Sequence, residues 1–265
     1  MCIARIITWR QLGGGKIIVS LTSFPARIDN VWQVVECMKR QTYKPAKILL
    51  WLSKEQFPTK ESIPNSLYDR EDDTFEIRMV DGDIRSHKKY YYVSKEFPDS
   101  LVLLIDDDIY YASDLLERTM MAHEENPHAV ICNYGYLMTY QADGKLNPYR
   151  KWKHNYSNST SSQLFFGSGG GTLFRPSELY CDLTNIEKAR QLTPLADDIW
   201  LNAMVRLAGR PIVMLKNGLF LEINNKNNVR LATENCSLNK NDEQLNNIID
   251  YFQKMNGCNP FSKNY

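Results

Sequence analysis

Short apolar runs alternate with segments of helical periodicity through the first half of this 265-residue chain. Three of the runs are apolar throughout or nearly so, which is typical of strands buried on both faces: Ile17–Leu21, Ile48–Leu52 and Leu101–Ile105. Phe75–Val80 resembles a further strand, and Val31, Val34, Val35 and Met38 recur at the spacing of one helix face. This alternation predicts an α/β fold, with a mostly parallel, Rossmann-like sheet flanked by helices in a single domain.

The rest of the chain gives fewer signals. Residues 141–163 are polar and rich in Asn, Ser and Tyr, which predicts a long loop. The remaining elements are predicted from periodicity and capping residues: a helix from Ser113 or Asp114 to about Asn126, a strand at Ala129–Asn133, a helix from Asp197 or Asp198, a strand at Ile212–Leu215 and a last helix capped near Asp242.

Composition excludes some classes of protein. Lys and Arg number 32 against 31 Asp and Glu, and a net charge of +1 argues against a nucleic-acid binder. No apolar run approaches the ~20 residues of a membrane-spanning helix, and no signal-peptide pattern opens the chain. The six cysteines are scattered without a C-x-x-C pair, which favours reduced thiols. We therefore expect a cytoplasmic protein.

Asp106-Asp107-Asp108 directly follows the apolar run Leu101–Ile105. Three carboxylates at the end of a buried strand repel one another and lose hydration, so they favour a compensating cation. Hard ions such as Mg²⁺ and Mn²⁺ prefer oxygen ligands, and alternate residues of an extended segment project to one side. We therefore predict that Asp106 and Asp108 bind Mn²⁺ or Mg²⁺. A solvated turn is the simpler alternative.

A second acidic pair, Asp197-Asp198, lies at a predicted helix start. One carboxylate suffices as an N-cap, and the helix dipole favours both. The other could act as a general base on a hydroxyl. The sequence leaves both interpretations open.

Three further groups are candidates for binding. Gly167–Gly171 holds four glycines in five positions, typical of either a flexible loop or a backbone that approaches a ligand closely. Lys88 and Lys89 could neutralise phosphates or form a solvated face. Thr22 and Arg27 follow the first strand and could contact a nucleobase or a phosphate, or serve an ordinary turn.

Taken in order, these groups resemble the motifs of nucleotide-sugar glycosyltransferases of the GT-A fold. The matching segments are the first strand with Thr22, the D-x-D-like Asp106-Asp107-Asp108, the glycines at Gly167–Gly171 and the acidic pair Asp197-Asp198. The likeness spans about residues 17–215 and is nearest to bacterial enzymes that build capsule or lipopolysaccharide glycans. It implies a GT-A-like catalytic domain that transfers a sugar, as a hexosyltransferase does, from a UDP- or GDP-sugar to a glycan or lipid-linked acceptor.

The resemblance also implies residue roles. Asp106 would contact the ribose or the metal shell, and Asp108 would coordinate Mn²⁺ or Mg²⁺. Asp198 would be the catalytic base of an inverting enzyme. The remaining candidates divide between the donor and the acceptor: Thr22, Arg27, Lys88, Lys89 and Asp107 toward the nucleotide-sugar, and Gly169, Gly170, Gly171 and Asp197 toward the acceptor.

Two departures from the family pattern stand out. Ser53 and Lys54 follow the second strand, where many members carry an acidic residue, and Asp81 or Asp83 is the candidate substitute. Several relatives use a late histidine as a metal ligand, but no histidine follows His154.

Two other functions remain as alternatives. A sugar nucleotidyltransferase should carry a Gly- and Arg-rich loop after the first strand, and Ser20–Arg27 contains no glycine. A catalytically inactive sugar-nucleotide-binding relative should have lost its acidic clusters, and both are intact here.

The expected organisation has three parts. Residues 1–16 form an N-terminal extension whose isoleucines, arginines and tryptophan suit either peripheral contact with the inner face of the membrane or a floppy start. Residues 17–235 form the catalytic domain, with a nucleotide-sugar half (17–133) and an acceptor half (134–235). Residues 236–265 form a C-terminal helix and tail.

Overall fold

The computed structural model of the protein describes residues 17–154, 157–216, 221–223 and 239–263. The expectations for residues 1–16 lie outside the described residues, as do Cys2, Cys236 and the predicted boundary at 235/236. The cysteines that are described, Cys37, Cys132, Cys181 and Cys258, are free thiols. Within the described ranges, no helix combines the length and the apolar character that a membrane span requires.

An eight-stranded sheet forms the centre of the described structure, in the order β3-β2-β1-β4-β11-β6-β12-β9. Two smaller sheets, β10-β7-β8 and β13-β5, lie beside it. The strands are β1 Ile17–Thr22, β2 Lys47–Ser53, β3 Phe75–Val80, β4 Leu101–Ile105, β5 Ile109–Tyr110, β6 Val130–Cys132, β7 Gly135–Leu137, β8 Lys153–His154, β9 Ser159–Thr160, β10 Leu164–Phe166, β11 Gly170–Phe174, β12 Ile212–Met214 and β13 Leu221–Glu222.

The parallel register of the first strands determines where their polar ends meet. Val19 on β1 lies opposite Ile48 on β2 and Leu103 on β4. The carboxyl ends of these strands therefore reach the same edge of the sheet, where ligands of open α/β sheets bind. Thr22, at the end of β1, and Asp106, just after β4, both lie at this edge.

Helices cover both faces of the sheet: α1 Val31–Lys39, α2 Asn65–Tyr68, α3 Lys88–Glu96, α4 Leu115–Glu125, α5 Ile186–Leu192, α6 Asp197–Leu207 and α7 Lys240–Asn256. Successive residues of β4 point to different cores, since Leu103 packs with α1, α2 and α4, whereas Val102 packs with α3, α5, α6 and α7. Such burial on both faces explains the continuous apolar runs in the sequence. The predicted single α/β domain with a mostly parallel sheet is confirmed.

Several predicted elements are confirmed with small shifts. Helix α1 buries all four of the apolar residues that predicted it, and α6 begins at Asp197. The last helix begins at Lys240, slightly before the predicted cap at Asp242. The prediction of a long loop over 141–163 is wrong in part, because β8 and β9 form there by pairing with β7 and β12.

Glycine-rich residues form a central strand that the sequence did not predict. Gly170–Phe174 is β11, buried between β4 and β6 and antiparallel to both. A register shift between Gly170 and Thr172 marks a bulge, and Gly171 has a positive φ of 92°. Gly170 and Gly171 are therefore strand residues and not part of a flexible loop. Glycine has no side chain to produce a strand pattern, which explains the error.

We expect Leu103→Ala to be among the most destabilising changes in the sheet. Leu103 is fully buried and pairs with Val19 on one side and Leu173 on the other. Truncating such a residue should lower the free energy of unfolding by about 2–5 kcal/mol, measured by urea denaturation. Met121→Ala is the control, because Met121 is 52% exposed and should change stability by no more than about 0.5 kcal/mol. Equal effects of the two changes would contradict the assignment of β4 to the sheet centre.

Candidate active site

A cavity of about 460 Å³ opens at the carboxyl ends of β1 and β4. Its lining contains nine of the residues that the sequence singled out: Thr22, Arg27, Lys88, Lys89, Asp106, Asp107, Asp108, Asp197 and Asp198. The structure thus brings the two acidic clusters and the cations together, although residues 109–196 separate the two acidic clusters along the chain.

Asp107 is buried and joins the end of β4 to the segment after β1. Its carboxylate accepts hydrogen bonds from Ser23 Oγ at 2.6 Å and Arg27 Nη1 at 2.9 Å. Burial raises the pKa of Asp107, although Arg27 and Ser23 oppose the rise. Contact of Asp107 with a nucleotide-sugar remains a prediction, since the partners shown by these bonds belong to the protein.

Asp108 shares the same arginine. Its Oδ2 lies 2.8 Å from Arg27 Nη1, and its side chain is 23% exposed. Burial raises the pKa of Asp108 to about 7, assisted by the negative charges of Asp106 and Asp107 and only partly offset by Arg27. This carboxylate therefore lacks sufficient positive charge nearby.

Lys89 joins the two acidic clusters. Its buried Nζ lies 2.8 Å from Asp106 Oδ1 and 3.0 Å from Asp197 Oδ2. Burial alone would lower the pKa of Lys89, but the surrounding carboxylates outweigh it and raise that pKa. The side chain is therefore a permanent cation between β4 and α6.

Asp197 and Asp198 stand in different environments. The N-cap of α6 is Ala196, so neither aspartate is the cap, but both lie in the first turn, where the helix dipole favours negative charge. Burial would raise the pKa of Asp197, but Lys89 outweighs it and the pKa is lowered. In contrast, burial and the charge of Asp197 raise the pKa of Asp198 to about 7. Such a divergence between neighbouring carboxyls separates a fixed anion from a group suited to proton transfer.

Ser168 fixes both aspartates. Its Oγ donates to Asp197 Oδ2 at 2.8 Å, and its backbone N–H donates to Asp198 Oδ1 at 2.8 Å. Ser168 lies in the turn between β10 and β11, which Asn202 of α6 holds in place. Asn202 Nδ2 donates to the carbonyl of Phe166 at 2.8 Å, and its Oδ1 accepts from the N–H of the same residue at 3.1 Å.

Asn202 was not predicted as a site residue, although the sequence carries a signal for it. It interrupts a run of apolar residues, with Leu201 before it and Ala203 after it, and the structure buries it fully. A buried amide needs partners for its donors and acceptor, which indicates a structural bond to another element.

Gly169 provides the space that the Asp106 carboxylate occupies. A Cβ at residue 169 would lie 1.8 Å from Asp106 Oδ2 and 1.9 Å from its Cγ. The Asp106 backbone N–H donates to the carbonyl of Gly169 at 3.2 Å. Gly169, Gly170 and Gly171 are not among the residues that line the cavity, and their role toward an acceptor stays a prediction. In the structure Gly169 makes room for Asp106, and Gly170 and Gly171 belong to β11.

Lys88 and Thr22 make protein contacts at the edge of the cavity. Lys88 Nζ contacts Asp83, which also accepts from Gln56 Nε2 at 2.9 Å, and burial lowers the pKa of Lys88. Of the two candidate substitutes for the missing acidic residue, Asp83 lines the cavity, whereas Asp81 pairs with Lys54. Thr22 Oγ1 donates to the carbonyl of Trp51 at 2.7 Å.

The acidic residues fit a divalent cation by charge and by donor type. Asp106–Asp108, Asp197 and Asp198 supply five carboxylates, and the two cations that pair with them are Arg27 and Lys89. Carboxylate oxygens are hard ligands of the kind that Mg²⁺ and Mn²⁺ prefer. In the described ranges, no three His, Cys, Asp or Glu side chains form a ready-made metal cage. Mg²⁺ typically completes such partial sites with substrate phosphates and water.

The cavity also has an aromatic lining, formed by Tyr134, Tyr136, Tyr149 and Phe165, whose three tyrosines were not predicted from the sequence. Tyr136 lies on β7 and Phe165 on β10, two paired strands of the smaller sheet. Long-range pairing brings these residues to the cavity, so local periodicity carries little signal for them. Of these residues, only Tyr149 lies in the polar, Tyr-containing segment 141–163.

Comparison with known proteins shows the fold. No protein-family model matches the chain, and no curated protein matches it in sequence. Among solved structures, the mannosyltransferase PcManGT from Pyrobaculum calidifontis, in complex with GDP-Man and Mn²⁺, matches over 91% of this chain and 65% of that one, with a TM-score of 0.51 and 9% identity. CMP:2-keto-3-deoxy-manno-octonic acid synthetase complexed with CTP matches over 87% and 99%, with a TM-score of 0.50 and 9% identity. The chain therefore has a GT-A-like α/β fold, which these two kinds of enzyme share.

We expect Gly169→Ala to disturb the site through Asp106. The added methyl group has no room beside the carboxylate, so the free energy of unfolding should fall by about 1–3 kcal/mol. In an Asp106→Ala background the same change should cost much less, because the clashing carboxylate is gone. A double-mutant cycle measured by urea denaturation tests this coupling. Additive effects would show that Gly169 does not make room for Asp106.

Proposed function

We propose that this protein is a metal-dependent glycosyltransferase that moves a sugar from a UDP- or GDP-sugar to a hydroxyl of a glycan or lipid-linked acceptor. The observation that carries the proposal is the convergence of Asp106, Asp108 and Asp198 in one cavity at the carboxyl edge of the sheet. Asp106 and Asp108 supply carboxylate oxygens that suit a metal at the donor site. Asp198 is a carboxyl whose raised pKa suits a base.

Asp106 and Asp108 would hold Mn²⁺ or Mg²⁺ through carboxylate oxygens. When bound, the ion stabilises the negative charge that develops on the departing nucleoside diphosphate. Arg27, Lys88 and Lys89 line the same cavity and add positive charge beside the diphosphate. Thr22 lies at the end of β1, where it would contact the nucleotide.

Asp198 would act as the base in an inverting transfer. The acceptor oxygen attacks the anomeric carbon, the bond from that carbon to the diphosphate oxygen breaks, and the hydroxyl proton passes to the Asp198 carboxylate. The Ser168 N–H orients this carboxylate, and its pKa of about 7 suits a base that works near neutral pH. Asp197 is fixed by Lys89 and Ser168, so it holds the start of α6 in place.

The proposal also includes how the chain is divided into functional parts and where the enzyme would act. Residues 17–133 would form the nucleotide-sugar half and residues 134–235 the acceptor half, with 236–265 as a C-terminal helix and tail. The enzyme would act in bacterial surface polysaccharide synthesis, in the cytoplasm or at the inner face of the membrane.

A sugar nucleotidyltransferase is the second candidate, because CMP:2-keto-3-deoxy-manno-octonic acid synthetase is among the solved structures that match the chain. The segment after β1 argues against it here. Ser20–Arg27 lacks glycine, and its Ser23 and Arg27 are engaged with Asp107. The two reactions release different products, since a glycosyltransferase releases a nucleoside diphosphate and a nucleotidyltransferase releases pyrophosphate. An inactive relative would bind nucleotide and release neither.

Asp108→Ala and Asp198→Ala should separate metal binding from base catalysis. With UDP- and GDP-sugars and Mn²⁺, Asp198→Ala should reduce kcat by about 10²–10⁴-fold while nucleotide affinity stays unchanged. Asp108→Ala should weaken the Mn²⁺-dependent binding of UDP or GDP, measured by calorimetry. Asp69→Ala, at an exposed residue after α2, is the control. Full transfer or hydrolysis activity in both site variants would refute the assignment.

The pH profile should reveal the raised pKa of Asp198. Because only the carboxylate can accept a proton, kcat/KM should rise with pH and level off above about 7, with a loss of about tenfold per pH unit on the acid side. Rates measured from pH 5 to 9 at saturating Mn²⁺ test this, and Asp198→Asn should remove the acid limb together with most of the activity. A limb centred near pH 4 would indicate that Asp198 is not the base.

A further inference from the structure

Three tyrosines and one phenylalanine form a continuous aromatic part of the cavity lining, here called the aromatic wall: Tyr134, Tyr136, Tyr149 and Phe165. All four belong to the second half of the chain, whereas Asp106–Asp108 and the cations belong to the first. The cavity therefore combines a charged region with an aromatic region of separate origin.

The rings of the aromatic wall contact one another in sequence, edge to face between Tyr134 and Tyr136 and between Tyr149 and Phe165, and tilted between Tyr136 and Tyr149. Centroids lie 5.5 Å apart for Tyr134 and Tyr136, 5.5 Å for Tyr136 and Tyr149, and 5.9 Å for Tyr149 and Phe165. Phe165 is only 1% exposed, so it supports the wall from behind. The tyrosines are half-buried, and each contributes surface to the cavity.

The aromatic wall is fixed relative to the proposed base. The N–H of Gly167 donates to the carbonyl of Tyr134 at 3.1 Å, and the N–H of the next residue, Ser168, donates to Asp198. The Tyr134 ring also packs on Gly167, where an added Cβ would lie 2.7 Å from its Cδ1. One short turn thus determines the positions of both a tyrosine ring and the Asp198 carboxylate.

The combination of aromatic rings and phenol hydroxyls in the aromatic wall suits a carbohydrate. One face of a pyranose carries C–H groups with partial positive charge, and the face of an aromatic ring is negative. The edge of a pyranose carries hydroxyls, which the phenol groups of Tyr134 and Tyr136, 2.8 Å apart, can meet as donors or acceptors. A sugar packed on the aromatic wall would lie close to Asp198.

We propose that the aromatic wall is the acceptor subsite, where the pyranose ring of a carbohydrate packs on the Tyr136 ring, has Tyr134 at its edge, and presents a hydroxyl to Asp198. This inference rests on the proposed glycosyl transfer and identifies the acceptor as a sugar rather than a lipid phosphate or a peptide side chain. The ring of Tyr136 matters more than its hydroxyl, because the ring face supplies most of the contact area.

Two substitutions at Tyr136 distinguish the contribution of its aromatic ring from that of any large side chain at this position. The probes are the methyl α- and β-glycosides of glucose, galactose, mannose and N-acetylglucosamine, titrated by saturation-transfer NMR in the presence of UDP or GDP and Mn²⁺. For the glycoside that binds wild type best, Tyr136→Leu should weaken affinity by about fivefold or more, whereas Tyr136→Phe should stay within about twofold. Tyr251→Ala is the control, since Tyr251 is half-buried on α7 and outside the cavity lining. Tyr149→Leu repeats the test if Tyr136→Leu does not fold.

The outcomes distinguish this subsite from the proposed function. Nucleotide affinity measured by calorimetry should be unchanged in Tyr136→Leu, and a loss of UDP or GDP binding there would overturn the inference by making the wall a nucleobase site. Failure of every glycoside to bind wild type, or equal affinity for the Leu and Phe variants, would also overturn it. If glycosides bind as expected but no nucleotide binds wild type, the subsite stands and the glycosyltransferase proposal fails.

Discussion

The ammonium group of Lys89 is the interaction on which the cavity depends. It joins Asp106 at the end of β4 to Asp197 at the start of α6, two elements from different halves of the chain. Carboxylates that approach in a buried site repel one another unless a cation lies between them. The surrounding negative charge raises the pKa of Lys89, so the bridge persists at any physiological pH. The two acidic clusters can therefore share one cavity without meeting directly.

The turn between β10 and β11 positions several groups of the cavity, because its residues are small enough to let those groups approach closely. Gly167 gives space to the Tyr134 ring, Ser168 binds both Asp197 and Asp198, and Gly169 gives space to the Asp106 carboxylate. A larger residue at either glycine would displace an aromatic ring or a carboxylate. The two glycines thus affect the site indirectly, because they determine where the Tyr134 ring and the Asp106 carboxylate can lie.

The parts of the fold that the sequence predicted are those with local patterns. Leu101–Ile105 indicates burial through five consecutive apolar residues, four of which are buried, and α1 indicates its buried face through four residues. Helix α3 was missed because it begins with Lys88 and Lys89, which are buried by pairing with Asp83 and Asp197 and not by apolar contact. Strand β11 and the tyrosines of the aromatic wall were missed because long-range pairing, and not local periodicity, creates them. Acidic residues, in contrast, could be placed at the site because each cluster adjoins a predictable element.

Charge distribution separates the two substrates that a transfer reaction brings together. The first half of the chain supplies Arg27, Lys89 and the Asp106–Asp108 cluster, which suit a diphosphate and its metal. The second half supplies the aromatic wall, which carries no formal charge and would bind a phosphate poorly. Asp198 belongs to the second half but faces the same cavity, with a pKa near 7 because burial and Asp197 disfavour its charge. In the proposed transfer, Asp198 would take a proton from one substrate while the other departs, and its placement follows from the turn that fixes both Tyr134 and Asp198.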